Sequence, residues 1–398
     1  MKKNIRRRPD PVQAEQEKVS IFQHILMGAC AFFTVLVLLL FIVLPDNSFS
    51  ETENRSLAGI PEFDMTDLLN GRLMKNAESW TADQFPGRTG WVRVRTEAAR
   101  IGGQNIIGGV YICDDGYLME EAVQPDEEFL SRLVQNLTAF RANHQDMNFY
   151  MLIAPTAVTV LRDKLPENAP AEDQNPLIRD FYSTMQLVGY TPVDAGDVLA
   201  AKKDEYIYYR TDHHWTTYGA YNAFRHAAGI MGLDPDAVYY NALPVTADFN
   251  GTLSGKSCTF GDEKDVISVW FPQDDSQPAA NYVVEYVDKQ MKTTTFYDDS
   301  FLSKKDKYSV FFGGNHALIR IKSPTAENRR LLVLKDSYAN CFLPFLAQYY
   351  RQIDIVDPRY YTENLETLIA TDGIDEVLFL YNANTFFSDS SLAGLVAQ

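Results

Sequence analysis

The chain has 398 residues, enough for two or three domains or for one large domain with insertions. Hydrophobic residues make up 46% and aromatic residues 13%, which supplies a packed core and excludes long disorder. The formal charge of −17 argues against nucleic acid or an anionic lipid surface as partner, because phosphate binding needs a basic face.

The first element is "ILMGACAFFTVLVLLLFIVL", residues 25 to 44, with no charge in it. At 1.5 Å per residue such a run gives about 30 Å of helix, the thickness of a bilayer's hydrocarbon core. Six Lys/Arg against three Asp/Glu precede it, so the positive-inside rule places the N-terminus in the cytoplasm and the rest outside. A cleavable signal peptide is the rival, since "SFS" at 48–50 ends in small residues, but its apolar core should be shorter. A single uncleaved span is therefore expected, in the cell membrane, with the folded part extracellular. Beyond it lie Cys113, Cys258 and Cys341, too few for disulfides to carry the fold, and with no spacing that reads as a zinc site.

Residues 46–65 are polar and read as a stalk, followed by two amphipathic stretches, the second ending at a Gly pair. "GGVYICDDGYLME" reads as a hairpin around Asp-Asp-Gly, and "DEEFLSRLVQNLTAFRANHQ" as a helix with an acidic first turn. From "MNFYMLIAPT" onward, apolar strands alternate with helices, among them "TTYGAYNAFRHAAGIMG" capped by Thr216 or Thr217. Residues 235–328 are rich in Tyr, Phe, Val, Thr and turn formers, and read as an antiparallel β-rich insertion. Strand–turn–helix–strand order then returns. The expected organisation is a basic cytoplasmic tail (1–24), a transmembrane helix (25–45), a stalk and helical lead-in (46–100) and an α/β domain (101–398). Its sheet should be mostly parallel, with helices on both faces.

The stretch that bears most on chemistry is "RRLLVLKDSYANCF". Leu331 to Leu334 form a buried parallel strand, Lys335-Asp336-Ser337 is the turn, and a helix should start near Tyr338. Ser337 thus sits at the carboxyl end of a strand, where ligands bind in open α/β sheets, and beside unsatisfied helix N–H groups. A plain helix-capping serine is the bland alternative.

The second element is "TDHHW". Asp212 and His214 are two apart, so in an extended segment the carboxylate can hold the imidazole while His213 points away. A hydroxyl nucleophile needs such a base, and an acid to fix the base's tautomer. Two alternatives stand beside this reading. Two histidines and a carboxylate can bind a metal, although neighbouring histidines usually diverge and no H-x-x-H or H-x-H spacing is present. The histidines can also cap the following helix. No metal or cofactor is expected.

"TDHHWTTYGAY" together with "KDSYANCFLPFLAQYYRQIDIVDPRYY" resembles the DHHW-motif family, itself similar to the SGNH-hydrolase-like proteins that O-acetylate alginate and other exopolysaccharides. "ENRSLAGIPEF" and "DQFPGRTGW" resemble that family's opening. The resemblance implies a doubly wound SGNH-like fold with Ser337 as nucleophile and Asp212 and His214 as its acid–base pair. By it, Trp215 would wall the site. Asn382, or alternatively Tyr381, would take the place of an oxyanion asparagine, though the glycine and aspartate of that turn are missing. Arg359 either binds an acidic acceptor or only pairs with Asp357, structural ion pairs being the commoner case.

The implied activity is transfer of acetyl groups to a cell-wall or secreted polysaccharide. By the resemblance, a multi-pass membrane O-acyltransferase would supply the acetyl group. An extracellular carbohydrate esterase with the same triad is the alternative enzyme. A non-catalytic wall-polymer-binding or assembly protein is the alternative outside catalysis.

Overall fold

The computed structural model describes residues 11–50, 55–259 and 263–397. Residues 1–10, the basic end of the expected cytoplasmic tail, lie outside the described residues, as do 51–54 of the stalk and 260–262 of the β-rich segment. The chain divides into two compact units, one up to Val94 and one from Arg95 onward.

The first unit begins with the helix Pro11–Val43, within which Ile21–Phe41 is long and apolar enough to cross a membrane. Short helices Met65–Leu69 and Arg72–Asp83 follow. The Arg72–Asp83 helix carries Trp80, whose indole N–H donates to Asp46 at 2.8 Å.

The second unit is built on an eight-stranded sheet. Its parallel half runs Gln352–Val356, Arg330–Lys335, Glu376–Asn382, Asn148–Ala154, Thr191–Pro192. The middles of the three central strands, Leu331–Leu334, Val377–Leu380 and Phe149–Ile153, are apolar or aromatic because both faces are covered. Successive residues feed opposite cores: Leu331, Val333, Leu378 and Leu380 enter one cluster, and Leu332, Leu334, Val377 and Phe379 the other. The helix Thr217–Ile230, capped by the Thr216 hydroxyl, presents Ala220, Ala223, Phe224 and Ala227 to the first core. The helices Glu127–Asn143 and Gln174–Leu187 cover the second with Leu133, Leu137, Ile178 and Met185. A three-stranded antiparallel sheet holds the Asp-Asp-Gly turn, with Asp115 and Gly116 both at positive φ.

Strands within 235–328 are antiparallel, but they do not all stand apart. Tyr240–Phe249 pairs with Asp265–Pro272 as a separate ribbon. Val283–Tyr286, Met291–Thr293 and Leu318–Lys322 instead extend the main sheet beyond Gln352–Val356. The reason is in the side chains: Val284, Tyr286, Ile319 and Ile321 alternate with polar residues and complete the first core.

One local expectation is corrected. The chain after Ser337 is not an α-helix but two 3₁₀ segments, Ser337–Cys341 and Leu343–Gln348. Pro344 has no N–H to give to an i→i−4 ladder, so the α-helical pattern cannot run through it. Among the described residues no disulfide joins the cysteines; Cys113, Cys258 and Cys341 are buried.

Candidate active site

The strand Arg330–Lys335 lies between its neighbours with Leu331 to Asp336 fully buried, and delivers the chain to its carboxyl end. Asp336 makes the turn there. One of its oxygens accepts from the N–H of Tyr338 at 2.9 Å; the other accepts from the backbone and side-chain amides of Asn382 at 3.0 and 2.6 Å. Burial pushes the Asp336 carboxyl up to about 6, against the pull of those N–H groups. Lys335 is also fully buried, which lowers its ammonium, and its Nζ donates to Asn315 and Asn340 at 2.8 and 2.9 Å. Ser337, next in the chain, is half-buried.

Facing it is the Asp212–Trp215 segment. It is a bend rather than an extended run, closed by a single bridge between Tyr208 and Trp215. Asp265 anchors its approach, accepting from the N–H of Arg210 and of Thr211 at 2.8 Å each and from the hydroxyls of Tyr206 and Thr211 at 2.5 Å each. The bend brings His214 Nε2 to 2.7 Å from Ser337 Oγ and His214 Nδ1 to 2.5 Å from Asp212 Oδ1. The second Asp212 oxygen accepts from the Thr252 N–H and hydroxyl at 2.8 and 3.0 Å. Asp212 is thus held on both oxygens, and a carboxylate beside Nδ1 selects the tautomer whose Nε2 is free to accept from the serine.

Burial lowers His214 to about 4, His213 adds to that, and Asp212 opposes it. Burial also pushes against an ionised Asp212, but His213 and His214 outweigh it and leave the carboxyl well below its usual range. A neutral imidazole backed by a carboxylate is the protonation state a general base requires.

His213 does not point away. Its ring centroid is 3.9 Å from that of His214, and its Nδ1 is 2.8 Å from the Thr252 hydroxyl. Ligand atoms of Asp212, His213 and His214 lie within 4.8 Å of one another, close enough to hold a metal ion by distance. In this geometry His214 Nδ1 and Nε2 already face Asp212 and Ser337.

The remaining candidates fall differently. Trp215 is fully buried and does not wall the site directly; its indole N–H donates to the Tyr338 carbonyl at 2.9 Å and its ring stacks on Phe342, so it supports the turn from behind. Tyr381 packs in the second core, 5.7 Å from the Phe386 ring and on the far face of the sheet. Strand alternation sends its side chain there, so the oxyanion role is dropped for it. Asn382 is at the site, but its two side-chain N–H groups are engaged by Asp336 at 2.6 Å and Thr385 at 2.8 Å. It braces the turn instead. Arg359 does pair with Asp357, through Nε and Nη2 at 2.8 and 2.6 Å. It also lines a groove of about 600 Å³ that includes His213 and Asn382.

Three contributors carried no signal in the sequence. Thr252 comes from the β-rich segment. Gly251 precedes it, and a Cβ there would lie 2.2 Å from the Asp212 Cβ, so only glycine permits the approach. Tyr308 stacks on His214, with centroids 3.8 Å apart and planes at 13°.

Fold and site together define an α/β protein with a serine–histidine–aspartate constellation at the carboxyl edge of the parallel half of a mixed sheet. The chain belongs to the DHHW protein family, whose model matches residues 93–356 and so takes in Asp212 to Trp215 and Ser337. Among curated proteins it is similar to the probable alginate O-acetylase AlgJ of Pseudomonas putida, 25% identical over 221 residues, 50% of this chain and 56% of that one. The chain spans about half the length of the curated relatives it matches. Among solved structures, a DHHW family protein from Eubacterium siraeum superposes with a TM-score of 0.62 at 23% identity, covering 72% of this chain and 94% of that one. Bacillus cereus PatB1 superposes with 0.55 at 18%, covering 71% and 97%. These likenesses establish the fold.

Proposed function

We propose that the protein is a membrane-anchored, extracellular O-acyltransferase that moves acetyl groups onto hydroxyls of a cell-wall or secreted polysaccharide. The observation that carries this reading is the continuous relay from Asp212 through His214 to Ser337, at 2.5 and 2.7 Å. The name shared by the curated relatives, alginate O-acetylase, supports the reaction class.

In the proposed mechanism Ser337 Oγ attacks the acyl carbon of a donor while His214 Nε2 takes its proton. The tetrahedral intermediate then expels the donor's leaving group, which receives that proton, and leaves an ester on Ser337. A sugar hydroxyl attacks the ester, His214 takes the hydroxyl proton and returns it to Ser337, and the acetylated sugar departs. The Arg359 charge is felt at both His214 and Asp336, with its Nε and Nη2 held by Asp357.

The anchor in this reading is the apolar helix, with 1–24 in the cytoplasm, 25–45 in the membrane, 46–100 as stalk and lead-in, and 101–398 as an SGNH-like, doubly wound catalytic domain. The acetyl group would come from a multi-pass membrane O-acyltransferase. Transfer is tested by supplying p-nitrophenyl acetate and an oligosaccharide together. Acetyl should accumulate on the sugar faster than free acetate accumulates in solution. The reverse order would make the protein an esterase.

A further inference from the structure

The groove beside the relay has a charge pattern that selects its occupant. It reaches the site on two sides: His213 lies against His214, and Asn382 holds the residue before Ser337. Its two cations are matched locally. Arg359 is forked onto buried Asp357, and Lys256 Nζ lies 3.9 Å from Glu120 Oε2. Lys335, Asp336, Asp357 and Arg359 together form a set with as many acids as bases.

That leaves Glu121 and Asp389 on the wall without a basic partner among the described residues. Asp389 uses one oxygen to cap the helix Ser390–Leu395, accepting from the Ser391 N–H at 2.8 Å. Glu121 is exposed, and its carboxylate lies over Gly109, where a Cβ would be 3.5 Å from it. The chain as a whole carries −17.

Resting on the function proposed above, we infer that the acceptor is a glycan without carboxylates, neutral or amine-bearing, and that Glu121 and Asp389 reject polyuronates. A polyuronate brings one negative charge per sugar into a groove whose unmatched charges are negative, and like-charge juxtaposition is a standard device for refusing a partner. The polar side chains on the same wall are held within the protein: the Asn384 amide donates to Glu120 Oε1 and to the Glu121 carbonyl, the Thr385 hydroxyl accepts from Asn382, and the Ser388 hydroxyl donates to the Asn384 carbonyl.

The test measures binding rather than turnover, so that a failure of the acyl chemistry does not carry over to it. Full-length protein in detergent is titrated calorimetrically with three oligosaccharides of equal length: N-acetylated chito-oligosaccharide, its deacetylated form, and oligomannuronate. At low salt the oligomannuronate should bind at least roughly tenfold more weakly than either of the others. The gap should narrow as salt rises, because exposed charges are screened. Glu121→Gln combined with Asp389→Asn, which keeps a capping side chain, should narrow it at low salt. Oligomannuronate binding as tightly as the neutral sugar, or a gap insensitive to salt, overturns the inference even if the double variant fails to fold.

Discussion

Tyr308 lies flat on the His214 imidazole, centroids 3.8 Å apart, while its hydroxyl donates to the Ser337 carbonyl at 3.1 Å. One side chain therefore fixes the plane of the base and the backbone of the residue it would deprotonate. Tyr308→Phe keeps the stack and loses the bond; acylation by p-nitrophenyl acetate should slow by a few-fold, about one hydrogen bond's worth. Tyr308→Ala removes both and should slow it by about 100-fold, since catalytic geometry tolerates little displacement. Equal rates in the two variants would mean the stack contributes nothing.

Gly251 packs against Asp212 so closely that an added Cβ meets Asp212 Cα at 2.6 Å and Oδ2 at 2.6 Å. Gly251→Ala should cost about 1–3 kcal/mol in stability, as overpacking does. It should also lower the acylation rate beyond what the stability loss explains, because the carboxylate that orients His214 is displaced. Thermal melting and single-turnover acylation on the same preparation check both. A variant that melts lower yet acylates normally would separate Asp212 from the chemistry.

Much of this architecture is legible in the sequence, and what is not has a common cause. Leu331 to Leu334 announce a buried parallel strand because four consecutive apolar residues need two covered faces, whereas the Asp-x-His pair offers the residue types of an acid–base couple and leaves a metal site and a helix cap open. Thr252, Gly251, Asp265 and Tyr308 leave no such trace. They reach the site from 29 or more residues away through the β-rich segment, and neither periodicity nor motif marks a contact made only by tertiary packing. The Asp212–Trp215 bend departs from the extended run expected of it for the same reason. Its shape is set by Asp265 rather than by local preference, and that put His213 beside His214 instead of opposite it. Tyr381 and Asn382 show the limit of reading a strand end without its register. One position decides which face a side chain takes.

The His214 imidazole, lowered from 6.5 to about 4 by burial and by His213, gives a definite pH profile. The base works when neutral, so acylation should rise through an apparent pKa near 4 and stay level across neutrality. Between 6.5 and about 4 the unfolded chain binds the proton and the folded chain does not. This group's contribution to stability is therefore present above pH 6.5 and lost as pH falls through that window. An acid limb centred near 6.5 in pre-steady-state rates would contradict the burial seen here.

His213 lines the groove and meets Thr252, whereas His214 meets Ser337. His213→Ala should slow acylation by roughly tenfold or less, and His214→Ala by about 1,000-fold or more, since only the latter deletes the base. Chelators should leave the rate and the melting temperature unchanged. Stoichiometric zinc or manganese in the purified protein, lost on mutation of either histidine, would instead assign Asp212, His213 and His214 to a metal.

The central claim is that Ser337 carries the acyl group, and mass spectrometry of the peptide containing "DSYANCF" tests it most directly. After quenching a reaction with p-nitrophenyl acetate, that peptide should gain the mass of one acetyl group. The gain should be absent in Ser337→Ala and formed far more slowly in His214→Ala, with Asp212→Asn severe but leaving some labelling. Ser337→Ala protein that labels as fast as the wild type would contradict the account.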